Sequence, residues 1–303
     1  MSTNTANPIK DFLKKRKLQR EARIVNSRQI RGPRLVLRYV LLILVSIFML
    51  GPLMLPLLVA FKAPGEPIFG EGATIIPQTW SLAAFKELFS TTNILSGITN
   101  SLIICALAVV SHIVLASVGG YILSRRGWTG RNIAYLIVMS AMIFPFEAIM
   151  SSLFAIVNDL NLYDSLIGVW LPGMLGPFHL LLMRAAFLGI PDEIEDAAFI
   201  DGAGEFRRFW SIFLPQVKGA MTIVGLTSFI YAWSDFLWPL LVLQSRENKT
   251  LTLVLAELSS SIQGVSYQEV IAGAVVAMTP VVILFFFTQK YFFRGIEDGG
   301  LKF

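Results

Sequence analysis

The sequence predicts an all-α polytopic membrane protein of six transmembrane helices, and two observations carry that prediction. Of its 303 residues, 55% are apolar and 15% charged, with a mean hydropathy of +0.67. A soluble domain carries about 25% charged residues, so this chain lacks the polar side chains to cover itself in water. Its apolar residues also fall into six stretches, each near the ~20 residues that a helix needs to cross a hydrocarbon core.

Tyr39–Phe61 is free of charge and reads as span one. Leu88–Ser124 is also uncharged apart from its flanks, with the core of span two at about Leu95–Leu123. Asn132–Val157 forms span three, interrupted only by Glu147, and Ser165–Met183 forms span four. Gly219–Leu243, with the lone acid Asp235, is span five, and Val270–Gln289 is span six. Gly51, Pro52, Pro56, Pro145, Pro239 and Pro280 fall inside these stretches. They are expected to be accommodated, because neighbouring helices can satisfy the freed backbone groups. Between spans one and two, "PGEPIFGEG" reads as loop from its Gly and Pro content. Leu82, Phe85, Leu88 and Phe89 then follow at helical spacing after Ser81, which predicts a short helix on the outer surface. That helix either packs on the bundle or meets an external partner.

The net charge of +5 is unevenly placed. Eleven Lys and Arg precede Tyr39; others flank the far ends of spans two, four and six, at Arg125, Arg126, Arg131, Arg184, Arg207, Arg208, Lys218, Lys290, Arg294 and Lys302. The alternate loops hold only Lys62, Lys86, Arg246 and Lys249. This bias places both termini and the long segment after span four in the cytoplasm. The basic segment 1–34 reads as a topology determinant resting on anionic headgroups, with no nucleic-acid role, and residues 35–303 as the membrane domain, its core at about 95–290. The apolar run after it is too long for a cleaved leader. A single cysteine, Cys105, excludes a disulfide within the chain and reads as a small buried hydrophobe.

The segment after span four is much longer than the 2–8 residues usual between bundle helices. Pro191 suits a first helical turn, and Asp192, Glu193, Glu195 and Asp196 crowd that turn, where the helix dipole favours acids. Ala197, Ala198 and Ala203 are expected to leave a smooth patch for a close approach, and Gly202 is placed to end the helix left-handed. Phe206, Phe209, Trp210 and Phe213 then mark one aromatic stripe on a second helix, with Arg207 and Arg208 off it. Such a helix is expected at the membrane interface or under the bundle. Helix, glycine turn, helix: the segment reads as an ordered elbow, better suited to docking than to filling a gap.

"EDAAFIDGAGEFRRFWSIFLP" resembles the EAA loop of ABC-importer permeases, E-A-A-x-x-D-G-A followed by F-x-x-I-x-L-P. Ala197, Ala198, Asp201, Gly202 and Ala203 match the first part, and Phe209, Ile212, Leu214 and Pro215 the second. Asp196 stands where the family usually has Glu, keeping the charge on a shorter side chain. The stretch "DSLIGVWLPGMLGPFHLLLMRAAFLGIPDE", the segment "YAWSDFLWPL", the start of span two at Asn100 and the tail through Gly299 and Lys302 are similar to maltose-type carbohydrate permeases of the second-permease type. The resemblance covers nearly everything from Leu35 onward. It implies a type I ABC-importer transmembrane domain in a bacterial-type cytoplasmic membrane. It further implies a homologous second permease, two ATP-binding cassette ATPase subunits and an extracytoplasmic solute-binding protein as partners. The loop 189–218 would be the coupling loop, with Asp196, Ala197, Ala198, Asp201, Gly202, Ala203 and Phe209 as its ATPase-coupling residues, and the tail would reach the same interface.

The chain has no G-x-x-x-x-G-K-[ST], so ATP and Mg are expected on the partner ATPase, with no cofactor and no enzymatic activity here. With only His112 and His179, a metal cluster or a His-based triad is not expected. Acids inside spans are costly and commonly functional, which singles out Glu147 and Asp235. Asp235 lies near Tyr231, Trp233 and Trp238, a set able to bond hydroxyls and stack on a sugar face, or else an aromatic belt at the outer interface. Asn100 and His112 are expected to make interhelical hydrogen bonds. An ion- or proton-coupled secondary carrier is the alternative; it predicts inverted repeats and paired midplane charges, and no long elbow.

Overall fold

The computed structural model describes residues 33–125, 128–260 and 265–300. The basic segment expected over 1–34 therefore lies almost wholly outside the described residues, as do Arg126 and Lys302. The chain divides into a unit ending at Leu55 and a unit from Pro56 onward. Among the described residues the regular structure is helical, apart from one bridge between Lys62 and Trp80.

Helix α1, Pro33–Ala60, continues through Gly51, Pro52 and Pro56. Its side chains from Leu35 to Leu50 are exposed, an apolar surface suited to lipid rather than water. The following segment is pinned by Lys62, whose buried Nζ donates to the Pro67 carbonyl at 2.8 Å and lies 3.5 Å from Glu66. The short helix expected on the surface is α2, Ala83–Thr91; Ser81 Oγ accepts its first free amide, from Ala83, at 3.1 Å.

Helix α3, Ile94–Ser124, is the central column. Small residues recur along its buried side, including Gly97, Ser101, Cys105, Ala108, Ala116, Ser117 and Gly120. In lipid, helices gain little from excluding water, so close packing over small residues is what holds them together. Against α3 pack α7 (Pro177–Leu188) and α9 (Glu205–Ser234), and at its start α11 (Leu251–Ser260). Helix α12, Tyr267–Gly300, passes Pro280 unbroken and packs against α2, α9 and α11.

Span three, read as one stretch over Asn132–Val157 with Pro145 inside it, is bent. It is two helices, α4 (Arg131–Ala141) and α5 (Phe146–Asp159), bent by 97°. Pro145 has no amide to give and disfavours the helical region for the residue before it, and the chain breaks there, at the start of α5. Span four is also broken, by 46°, between α6 (Leu166–Gly173) and α7. His112 answers that break: its Nε2 lies 2.7 Å from the Gly173 carbonyl freed there, while Nδ1 meets Ser228 Oγ on α9 at 2.8 Å. Span five breaks at Asp235, after which α10 (Leu237–Val242) begins. Asn100 bonds the loop carbonyls of Glu247 and Lys249, at 2.7 and 3.0 Å, rather than another helix. Among the described residues, four helices are long and apolar enough to cross a membrane, and the count reaches six when each bent pair is one span.

Candidate functional site

The elbow is built from α8, Asp192–Ile200, and the start of α9. Asp192, Glu193 and Glu195 occupy the first turn of α8, facing the positive end of its dipole. At the other end Gly202 adopts φ +68°, a left-handed conformation that costs glycine nothing. The Ala203 amide then bonds the Ala198 carbonyl and the Gly202 amide the Phe199 carbonyl, each at 3.0 Å. These two bonds make a Schellman closure, in which the last carbonyls of the helix are satisfied and the chain reverses. Ala198 is buried and Ala203 half-buried at this closure, so of the three alanines expected to form an outward patch only Ala197 faces out.

The second helix of the elbow, expected at the membrane interface or under the bundle, is continuous with span five. It starts at Glu205, runs through a π turn over Arg208–Phe213 and a 3-10 turn at Leu214–Val217, and continues into span five. A π turn holds more residues than an α turn, so positions spaced for one face of an α-helix no longer share a face. The aromatic stripe splits accordingly. Phe213 is buried and Phe209 half-buried, whereas Phe206 and Trp210 point outward and lie parallel, centroids 6.3 Å apart. Arg208, off that stripe, is 4% exposed, with its guanidinium 3.7 Å from the Phe199 ring centre and an ion pair to Glu205. The outer surface of the elbow therefore sets large apolar side chains among its charges: Ile200 is 87% exposed and Phe206 77%, Phe199 and Trp210 are exposed as well, and so are Glu193, Asp196, Asp201 and Arg207. Exposed patches of this kind mark interaction sites.

Beneath it lies a polar layer that the sequence did not reveal. Arg125, at the end of α3, bonds Glu195 on α8 at 2.6 Å. Tyr121, one turn earlier, donates its hydroxyl to Glu205 at 3.1 Å and packs its ring among Phe187, Phe209 and Phe213. These partners are 70 and 84 residues apart in the chain, so no local pattern joins them.

Residues 112–298, which include the whole elbow, match the family described as binding-protein-dependent transport system inner membrane component. The chain belongs to that family. It is 34% identical over 254 residues to the arabinooligosaccharides transport system permease protein AraQ of Halalkalibacterium halodurans, covering 83% of this chain and 90% of that one. Over 267 residues it is 31% identical to the maltodextrin transport system permease protein MdxG of Bacillus subtilis, covering 87% and 95%. The fold is shared with a chain of a bacterial ABC transporter involved in the import of the acidic polysaccharide alginate. That match has a TM-score of 0.76 at 23% identity and covers 85% of this chain and 95% of that one.

In this member of the family, the residues singled out around Asp235 are spread over different environments. Trp233 is buried: its indole N–H bonds the Ala277 carbonyl on α12 at 3.0 Å, and its ring lies parallel to Phe229. It ties two helices together rather than offering a face to solute. Asp235 is half-buried at the α9–α10 break, its carboxylate facing the Phe236 and Trp238 amides and its carbonyl accepting from Thr252 Oγ1 at 2.8 Å. Tyr231 is exposed on α9, and Glu147 is exposed in the first turn of α5. Phe146 meets Trp238 edge-on at 5.8 Å, which brings the start of α5 beside the α10 turn that Asp235 opens. Among the described residues, no three His, Cys, Asp or Glu side chains lie together as a metal site.

Proposed function

We propose that this chain is the membrane permease half of an ATP-driven carbohydrate importer and that the elbow is its coupling element. One observation carries the coupling reading. A closed elbow, whose outer surface sets large apolar side chains among exposed acids, runs without interruption into span five, which supports a force on that surface reaching the membrane. The basic residues favour a cytoplasmic elbow and cytoplasmic termini in a bacterial inner membrane. Asp196, Ala197 and Asp201 are exposed and would border the docking surface, Phe209 packs beneath it against Tyr121, and Ala198, Gly202 and Ala203 form the turn that holds its shape. Two ATPase subunits, which bind ATP and Mg, would seat this elbow and its counterpart on a homologous second permease. An external binding protein would deliver the solute, and this chain would catalyse no reaction itself.

Relatives named for arabinooligosaccharide and maltodextrin transport favour an oligosaccharide over a phosphorylated solute; the glycerol-3-phosphate permease UgpE of Yersinia pestis is more distant, at 27% identity. Tyr231, Trp233, Asp235 and Glu147 are the residues proposed for the sugar path; the exposure of Tyr231 and Glu147 and the half-burial of Asp235 support this for those three, while Trp233 is buried. A test of coupling uses the exposed residues, which do not hold the fold. Ile200→Asp and Phe206→Asp are expected to abolish co-purification of the ATPase subunit and sugar uptake while the permease still reaches the membrane. Normal ATPase retention and uptake in both variants would remove the basis for the reading.

A further inference from the structure

We infer that Arg125 and Tyr121 are positioning residues that clamp the elbow to α3, so that span two moves with the elbow. The inference rests on the coupling role proposed above. By covalent connection alone the elbow belongs to α7 and α9. A push on it would pass directly to spans four and five, and to α3 only through packing.

Arg125 sits where these elements converge. Its Nη1 bonds Glu195 on α8 at 2.6 Å, its Nη2 reaches the Phe187 carbonyl in the last turn of α7 at 3.3 Å, and Nε bonds Ser124 Oγ. The guanidinium also lies 4.3 Å from the centre of the Phe213 ring on α9 and 5.2 Å from that of Tyr121. One side chain therefore touches all three helices that carry the elbow. The planar fork of arginine suits such multiple contacts, which a lysine point charge cannot reproduce. The pair is sheltered, with 14% and 20% of the Arg125 and Glu195 side chains exposed, so salt screens it less than a surface pair.

Tyr121 adds a second link. Its hydroxyl bonds one oxygen of Glu205, whose other oxygen holds Arg208, and Arg208 lies over Phe199 on α8. The chain of contacts thus runs from α3 to α9 and back to α8. The α3–α7 contact itself stands without the clamp, because Gly119 and Gly120 pack directly on Leu180 and Met183. Removing the clamp should loosen the elbow on α3 without separating the spans. That distinguishes positioning from simple stability.

The test is the assembled importer in liposomes, with ATPase subunits and binding protein, reading ATP hydrolysis and sugar uptake together. Arg125→Gln is expected to keep the ATPase subunits bound and ATP hydrolysis running, while sugar moved per ATP falls by roughly tenfold or more, the usual range of a coupling effect. Tyr121→Phe keeps the ring packing and is expected to lower the same ratio less. Glu195→Gln should reproduce Arg125→Gln, and the exchanged pair Arg125→Glu with Glu195→Arg should recover much of the ratio, which a general folding defect would not allow. An unchanged ratio in Arg125→Gln, loss of ATPase binding in it, or no recovery in the exchanged pair overturns the clamp. Ile200→Asp, run alongside, separates the two ideas. If it too retains ATPase and uptake, the coupling reading has failed; if it loses them while Arg125→Gln behaves as wild type, only the clamp has failed.

Discussion

Replacing Gly120 with alanine should push spans two and four apart. A Cβ at Gly120 would lie 2.7 Å from Met183 Cβ and 2.8 Å from the Arg184 amide nitrogen, whereas ordinary contact begins near 3.4 Å. Two of the obstructing atoms belong to backbone or to the rigid base of a side chain, so rotamer changes cannot relieve the clash. The helices must part by roughly 0.7 Å at the crossing. Overpacking of this kind costs about 1–3 kcal/mol, and the backbone contact argues for the upper end. Alanine regains about 1 kcal/mol of helix propensity over glycine. The net loss is about 2 kcal/mol, or a fall of roughly 4–8 °C in the unfolding midpoint at ~2–4 °C per kcal/mol. Gly219→Ala is the control, because a Cβ there meets nothing within 4 Å. It should keep only the propensity gain and shift the midpoint slightly upward. The assay is thermal unfolding of the purified permease in one detergent. Equal shifts in the two variants would refute the close-packing argument.

At Gly202 the space around a new side chain is open, so Gly202→Val is penalised by its φ of +68° alone, at about 1–2 kcal/mol. Faster amide exchange at Gly202 and Ala203 is expected, with Gly202→Asn close to wild type because asparagine tolerates this conformation. In the segment after α1, the Gln78 amide at 3.0 Å holds the Glu66 carboxyl below its ordinary value of 4.5, against an opposing effect of burial and with help from Lys62. A depressed folded-state value means that the carboxylate's contribution is complete above the ordinary value and is lost as pH falls through the depressed one. Protection of the Gln78 amide should therefore hold at neutral pH and fade only in acid below 4.5, and Glu66→Gln should abolish that dependence.

Much of the fold was legible because hydropathy and helix chemistry act locally. Six apolar stretches, the acid-primed start of α8 and the glycine at its end can each be read from a few adjacent residues, since each answers to the solvent or to its own backbone. The bend in span three was less legible. Pro145 announces a possible break, but whether neighbours accommodate it or the chain turns by 97° depends on what packs there. The elbow's surface was partly misread for a similar reason. The aromatic spacing assumed an α-helix, and the π turn sent Phe213 inward and Phe206 outward.

By itself, then, the sequence determined a six-stretch membrane protein with a closed acidic elbow whose residues resemble the EAA loop of its family. Only the tertiary structure decided which charges on that elbow are sheltered and what holds it. Glu195 and Glu205 look alike in the chain, as two acids of one polar segment. Arg125 and Tyr121 reach them only because small residues let α3 lie close against α7, carrying the end of span two beneath the elbow.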